Sequence, residues 1–541
     1  MTTAGVPEVR PAVPRDDLTR AIPWLRIAAY LAAALAIVPL LAVVVLAVTR
    51  PASADMPLSL LGRYALDSAI LAALVGVGTI VMGASSAWLV VMHRFPGRTF
   101  FAWALALPLA APAFALAYGY ADLLDVAGPI RTFIRATLGV EVPLDIRSLP
   151  GAAFVLSGAF YPYVYLTARA AFLSQSVCSL EAGRTLGVTA FGAFWRVGLP
   201  LARPAIAAGA ALAVMETLAD YGAVKFLGVQ TLTTGVVRAW SVFGAPGSAA
   251  RLSLVLMAAA AILLFLEDHF RRGQSFGATS ARWRPLTDIP LPGLRGLGAT
   301  AYCALLLGLG LVVPAGWLAF KAVSATPDWP AIGHAAGVSF GLATAGALLT
   351  VFLAGLIAFG ARHDLVVKRI ASLGYATPGA VMAVGLLAPA ALLWQGFGVA
   401  ATATSTGLIL LVFAYSARLM ASALGPIESG LARVTPSMDR AARTLGETET
   451  GALARVHAPL AQGAIWTAVI LIFVDVLKEL PATLILRPFN FDTLAVLADR
   501  YASDERLAQA AWPALAILAV AIVPTAFLAL KVARSRPGAP S

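Results

Sequence analysis

Charge is scarce in this chain of 541 residues: 12% are Asp, Glu, Lys or Arg, while 60% are hydrophobic. Soluble domains carry roughly 25% charged residues, so the composition excludes an ordinary water-soluble enzyme. Cysteine is nearly missing. Cys178 and Cys303 are the two present, too few and too far apart for a disulfide framework or a thiolate metal site. Their expected role is small apolar filler. None of the histidines (His93, His269, His334, His363, His457) shares a helix face with another at metal-ligand spacing, so no high-affinity metal site is expected. A phosphate-binding loop needs Gly-Lys followed by Ser or Thr. Lys225, Lys321, Lys368, Lys478 and Lys531 follow Val, Phe, Val, Leu and Leu, so the chain is not expected to be an enzyme with its own ATPase site.

Long apolar runs dominate what is present. They start near Trp24, Leu66, Phe100, Gly151, Pro204 and Arg251, and again near Leu297, His334, Arg369, Thr404, Ala464 and Ala511. Each approaches the roughly 20 residues a spanning helix needs. Their continuous apolarity favours helices over barrel strands, which alternate in ten-residue pieces. The first run, 27–48, exceeds the 7–15 residues of a signal-peptide core and reads as a retained helix.

Charge predicts the orientation. With both termini inside, the cytoplasmic segments hold 26 basic and 12 acidic residues, and the opposite side 13 and 15. The whole basic excess of +12 then lies inside, as the positive-inside rule requires. The basic balance is thereby explained by the lipid bilayer, and nucleic acid is not an expected partner.

The chain repeats itself. Arg184-Thr185-Leu186-Gly187 returns as Arg443-Thr444-Leu445-Gly446, and the stretch from Arg196 to Ile206 returns from Arg455 to Ile465, both at an offset of 259. Both copies follow the fourth run of their half, which predicts parallel six-helix repeats. The expected organisation is a tail over 1–23, a first half over 24–270, a linker over 271–296, a second half over 297–533 and a tail over 534–541. The repeated loops, 174–203 and 425–462, read as a short helix, a turn at Gly187 or Gly446 and a second helix starting at Pro200 or Pro459. A membrane-lying connector would explain one copy. Two copies suggest a surface that engages two copies of one partner, or a symmetric dimer.

Ionisable residues within spans are costly, by roughly 2.5–3.5 kcal/mol on insertion scales, and are functional by default. Glu216 and Asp220 lie one turn apart after the chain returns at Pro204, and the same offset leads to Asp475 and Glu479. Both acidic positions survive duplication with their identities exchanged. Four carboxylates facing one another across the pseudo-two-fold axis would form a cation-attracting vestibule or gate. Alternatively, Lys225 and Lys478 neutralise them, or the helices end early. Tyr118 and Tyr161 are further path candidates, although an interfacial aromatic belt explains most of the tyrosines in runs three and four. External segments over 125–150, 228–250 and 488–508 exceed tight turns, and 130–138 is amphipathic.

The run Glu181-Ala182-Gly183, then Gly187, then Val197-Gly198-Leu199-Pro200 resembles the EAA loop of ABC importer permeases. In the second copy Arg440-Ala441-Ala442, Arg443, Gly446 and Pro459 keep the spacing, while the leading Glu is lost and Asp439 stands one position early. The resemblance implies an all-α polytopic membrane protein of about 12 transmembrane helices in two halves, the type I importer permease fold. It further implies coupling helices that dock on two copies of a cytoplasmic ATPase, which alone uses ATP and Mg. A periplasmic or extracellular substrate-binding protein would deliver cargo across the bacterial inner membrane. The stretches 215–222 and 479–488 resemble the ferric-iron branch, in which both halves are fused; thiamine permeases share that arrangement. A major facilitator transporter also has twelve spans in parallel halves, but its signature loop follows the second span. A membrane transferase would need paired aspartates in a loop, and Asp16-Asp17 in the tail is the sole pair.

Overall fold

The computed structural model describes residues 23–51, 58–139, 145–174, 192, 194–272, 289–362, 364–375, 377–397 and 403–534. Helices account for nearly all of it. The first half contains α1 (Pro23–Thr49), α2 (Leu58–Met92), α3 (Arg98–Ala104), α4 (Ala113–Leu124), α5 (Pro129–Leu138), α6 (Leu149–Ser174), α7 (Leu199–Ala219), α8 (Gly222–Phe226), α9 (Leu232–Ser241) and α10 (Pro246–Arg272). The second contains α11 (Leu294–Leu307), α12 (Val313–Val323), α13 (Trp329–Gly360), α14 (Leu365–Ser372), α15 (Gly379–Phe397) and α16 (Ala403–Leu431). It continues with α17 (Pro436–Thr444), α18 (Glu449–Ala452), α19 (Ala458–Leu477), α20 (Pro481–Leu486), α21 (Leu494–Ser503) and α22 (Leu507–Arg534).

Among the described residues, ten helices are long and apolar enough to span a bilayer, one of them the continuous pair α11–α12. The expected third span is instead a pair of helices, Arg98–Ala110 and Ala113–Leu138, bent by 92°. Pro108 and Pro112 flank that bend, where missing N–H donors already interrupt the helix ladder. The ninth expected span, starting near Arg369, is likewise divided into α14 and α15. Among the described residues the all-α architecture has one small exception. The end of the linker pairs with the turn after α2, His93 opposite Ile289 and Arg94 opposite Pro290.

Repeated sequence produces repeated local structure. A π-helical turn occupies Phe194–Gly198 before α7, and another occupies Leu453–His457 before α19, again 259 positions on. Pro200 and Pro459 then lie in the first turns of α7 and α19, where their missing N–H groups cost nothing. Ser68 Oγ accepts the Leu232 N–H at 2.8 Å, and Ser339 Oγ accepts the Leu494 N–H at the same distance. These matched bonds pin α9 to α2 and α21 to α13. As a result α9 and α21 are buried inside the bundle, although the sequence suggested external loops at both places. In the first of the three expected external segments, α5 has no buried residue.

Tertiary packing exchanges the first helix of each half. α1 lies on α13, α14 and α15 of the second half as well as on α10 of its own. α11 lies on α2 and α3 of the first half, the turn Gly308–Val312 on α6, and α12 between α4 of the first half and α22 of the second. The core reflects the swap: Ala29, Ala32 and Leu40 of α1 pack in one cluster with Ala343, Ala347 and Ile472. Cys303 and Leu306 of α11 pack with Val155, Tyr161 and Phe172 of the first half. Cys303 is therefore buried filler, while Cys178 lies outside the described residues. Glycines permit the close approach. A Cβ at Gly119 would stand 2.6 Å from the Pro314 carbonyl oxygen, and one at Gly385 would collide with the Pro39 carbonyl oxygen.

Candidate functional site

α7 runs from Leu199 to Ala219 and stops at Asp220, whose backbone turns extended (φ −67°, ψ 136°). The carboxylate then caps the next helix: Asp220 Oδ1 accepts the N–H groups of Ala223 at 3.0 Å and Val224 at 3.1 Å. Glu479 does the same in the second half. Its Oε1 accepts the Ala482 N–H at 3.0 Å and its Oε2 accepts the Thr483 N–H at 3.1 Å and hydroxyl at 2.8 Å. Each span thus breaks at an acidic residue that begins a short helix, because a side-chain carboxylate satisfies the orphan donors left there.

The breaks face a common space. Glu216, Asp220, Asp475 and Glu479 all line one cavity of about 100 Å³ between the halves, together with Tyr163, Tyr375, Arg418 and Lys478. The two acidic pairs are not equivalent. Asp475 is bound to Lys478 at 2.9 Å, and Glu479 to Arg418 at 3.3 Å. Glu216 forms no salt bridge among the described residues; the Tyr375 hydroxyl donates to its Oε1 at 3.5 Å. Lys225 does not reach the first-half carboxylates, because it is committed to Asp499 at 2.8 Å and Ser503 at 3.1 Å across the junction. Four carboxylates against two cations leave a formal excess of negative charge, concentrated on the first-half wall. Such a surface attracts cations and repels anions. Among the described residues, no group of three or more His, Cys, Asp or Glu converges closely enough to hold a metal ion.

Tyr118 and Tyr161, expected on the path, are not among the residues lining this cavity. Both are completely buried in the packed core, which also removes them from an interfacial belt, and their hydroxyls have no partner among the described residues. The phenols at the cavity are Tyr163 and Tyr375 instead. Tyr163 belongs to the same Tyr cluster but stands two residues past Tyr161, on a different helix face. Arg418 also escaped the sequence reading, although a lone arginine within the apolar run from Thr404 was a detectable signal. Tyr375 sits in the turn between α14 and α15, where periodicity carries no information.

The second repeated loop is a short helix, a turn and a short helix. α17 carries Asp439, Arg440, Ala441, Ala442 and Arg443; its backbone closes through Gly446, whose φ of +82° is the left-handed region that favours glycine. Arg440, Ala441, Arg443, Leu445 and Gly446 are exposed, Leu445 by 84%, while Ala442 is buried. In the first loop, Glu181, Ala182, Gly183, Arg184 and Gly187 lie outside the described residues. Leu199 and Pro200 begin α7 and are half-buried.

A two-half helical membrane body with a charged cavity at its junction has the architecture of a transporter. No protein-family model matches the chain. It is 25% identical over 473 residues, 85% of its length and 88% of the relative, to Fe(3+)-transport system permease protein FbpB 2 of Haemophilus influenzae. It is 30% identical over 202 residues to the sulfate transport system permease protein CysT of Salmonella typhimurium, covering 36% of this chain and 71% of that one. It is 29% identical over 204 residues to the molybdenum transport system permease protein ModB of Escherichia coli, covering 36% of this chain and 86% of that one. The chain belongs to the ABC importer permeases, as a multi-pass protein of the inner membrane with both permease halves fused. These relatives favour that reading over a major facilitator transporter.

Proposed function

We propose that this permease imports ferric iron, and that the acidic cavity between its halves is the passage the cargo crosses. The observation that carries the reading is the convergence of Glu216, Asp220, Asp475 and Glu479 with the Tyr163 and Tyr375 phenols on one space. Hard, highly charged cations favour oxygen ligands, whereas a net-negative wall opposes oxyanions such as sulfate. Similarity along 85% of the chain to a ferric permease adds support. Oxygen donors spread over the cavity wall, rather than drawn into one tight cage, suit a conduit that must release its cargo.

In this reading two cytoplasmic ATPase copies use ATP and Mg, and dock on the loops that contain Glu181, Ala182, Gly183, Arg184 and Gly187 in one half and 439–446 in the other. This chain binds no cofactor of its own. Both termini face the cytoplasm, and a periplasmic or extracellular binding protein delivers the cargo from the opposite side. Closure of the ATPases rocks the halves and opens the cavity alternately to each side.

Reconstitution of the whole complex in proteoliposomes tests the assignment. Receptor loaded with ferric iron is expected to stimulate ATP hydrolysis and iron accumulation. Stimulation by thiamine or sulfate with their receptors, and none by iron, would overturn the cargo assignment while leaving the permease reading intact.

A further inference from the structure

A second cavity lies away from the passage, at the membrane end where α2 finishes, α3 starts and α6 meets the last turns of α22. It encloses about 540 Å³, and its walls are mostly apolar: Val90, Val91, Phe100, Trp103, Leu173 and Leu530. Two arginines also line it, Arg98 and Arg169, and among the described residues no acidic one does. Arg98 donates to the carbonyl oxygens of Val90 at 2.7 Å and Val91 at 3.1 Å, closing the end of α2. Arg169 is 4% exposed, and its two terminal nitrogens donate to the carbonyl oxygens of Val532 at 3.3 Å and Ala533 at 3.2 Å, closing the end of α22. Its positive charge has no carboxylate partner among the described residues.

Burying an arginine costs several kcal/mol unless an anion compensates it. Carbonyl dipoles at helix ends offset part of that cost, and each guanidinium has five N–H donors, of which the Arg169 contacts engage two. We infer that this cavity binds an anionic phospholipid, its phosphate between Arg98 and Arg169 and an acyl chain along the apolar wall. Three observations converge on that occupant. The two cations lie at the level where spans end and headgroups sit, the walls suit hydrocarbon, and basic pockets between membrane helices at such ends hold acidic headgroups. Because α22 belongs to the second half and α2, α3 and α6 to the first, the lipid would also bridge the halves.

Native mass spectrometry of the full-length protein, titrated with phosphatidylglycerol, phosphatidylcholine or inorganic phosphate, tests this. One phosphatidylglycerol should be retained at low micromolar lipid. Retention should weaken about tenfold in Arg98→Gln, the scale of one lost charge-assisted hydrogen bond. Leu530→Trp keeps both arginines and fills the apolar wall, so it should weaken retention of the lipid as well. Its thermal midpoint, unchanged, would confirm folding. Equal retention of phosphatidylcholine, binding of inorganic phosphate as tight as that of the lipid, or wild-type retention in both variants would each overturn the inference.

Discussion

Asp220 and Glu479 stand 259 positions apart and act alike, since each ends a spanning helix and caps the short helix behind it. Their surroundings differ. Glu479 is also bound by Arg418, whereas the position equivalent to Arg418 in the first half is Ala159. Duplication has kept the cap and specialised the charge.

The difference predicts unequal costs. Asp220→Ala should lose a cap worth about 1 kcal/mol. Glu479→Ala should cost about 3–5 kcal/mol, because it also leaves Arg418 buried without its partner. Thermal unfolding in detergent measures both, and Glu479→Gln combined with Arg418→Met should recover much of the loss. Equal midpoints for the two alanine variants would show that the ion pair contributes nothing.

Glu216 and Asp220 are the cavity carboxylates without a salt bridge among the described residues, and Glu216 is the one not engaged as a helix cap, so it is expected to meet a cationic cargo directly. Glu216→Gln should lower cargo uptake about tenfold, equivalent to about 1.4 kcal/mol, with little change in thermal midpoint. Uptake is read in proteoliposomes with the ATPase and receptor present. Asp475→Asn should be tested beside it, because that change releases Lys478 into the cavity and should reduce uptake further. Undiminished transport by Glu216→Gln would remove this residue from the passage.

The swapped first helices depend on glycine. Gly119→Ala and Gly385→Ala force backbone apart at symmetric cross-half contacts and should each cost about 1–3 kcal/mol, as overpacking does. Gly355→Ala is the control: nothing lies within 4 Å of its added methyl group, and alanine improves helix propensity. A melting series that ranks Gly355→Ala as the most damaging of the three would contradict the packing described.

Ser68→Ala and Ser339→Ala each remove the acceptor of a buried backbone N–H. A loss of about 1–3 kcal/mol is expected from either, with faster hydrogen exchange at Leu232 in the first variant and Leu494 in the second. Exchange that stays unaltered at those amides would refute the pinning role.

Gly446 turns the exposed loop at positive φ, so Gly446→Val strains that turn by about 1–2 kcal/mol. Under the proposed coupling role, ATPase activity should persist while uptake falls. Normal coupling in this variant would count against docking at this loop.

Much of this molecule was legible in one dimension. Apolar length, the offset of 259 and the paired acidic positions needed no coordinates, because span length is set by bilayer thickness and a repeat preserves local chemistry. Arg418 was readable as well, as a lone charge in an apolar run. Other features arise only when distant segments meet. The exchange of α1 and α11–α12 between halves, the burial of Tyr118 and Tyr161, and the arrival of Tyr375 beside Glu216 depend on which helix faces touch. Apolar helices carry weak directional patterns, since lipid and core both accept the same side chains. Shape at the contacts therefore decided the partners: a glycine opposite a carbonyl, and a serine opposite an unpaired N–H.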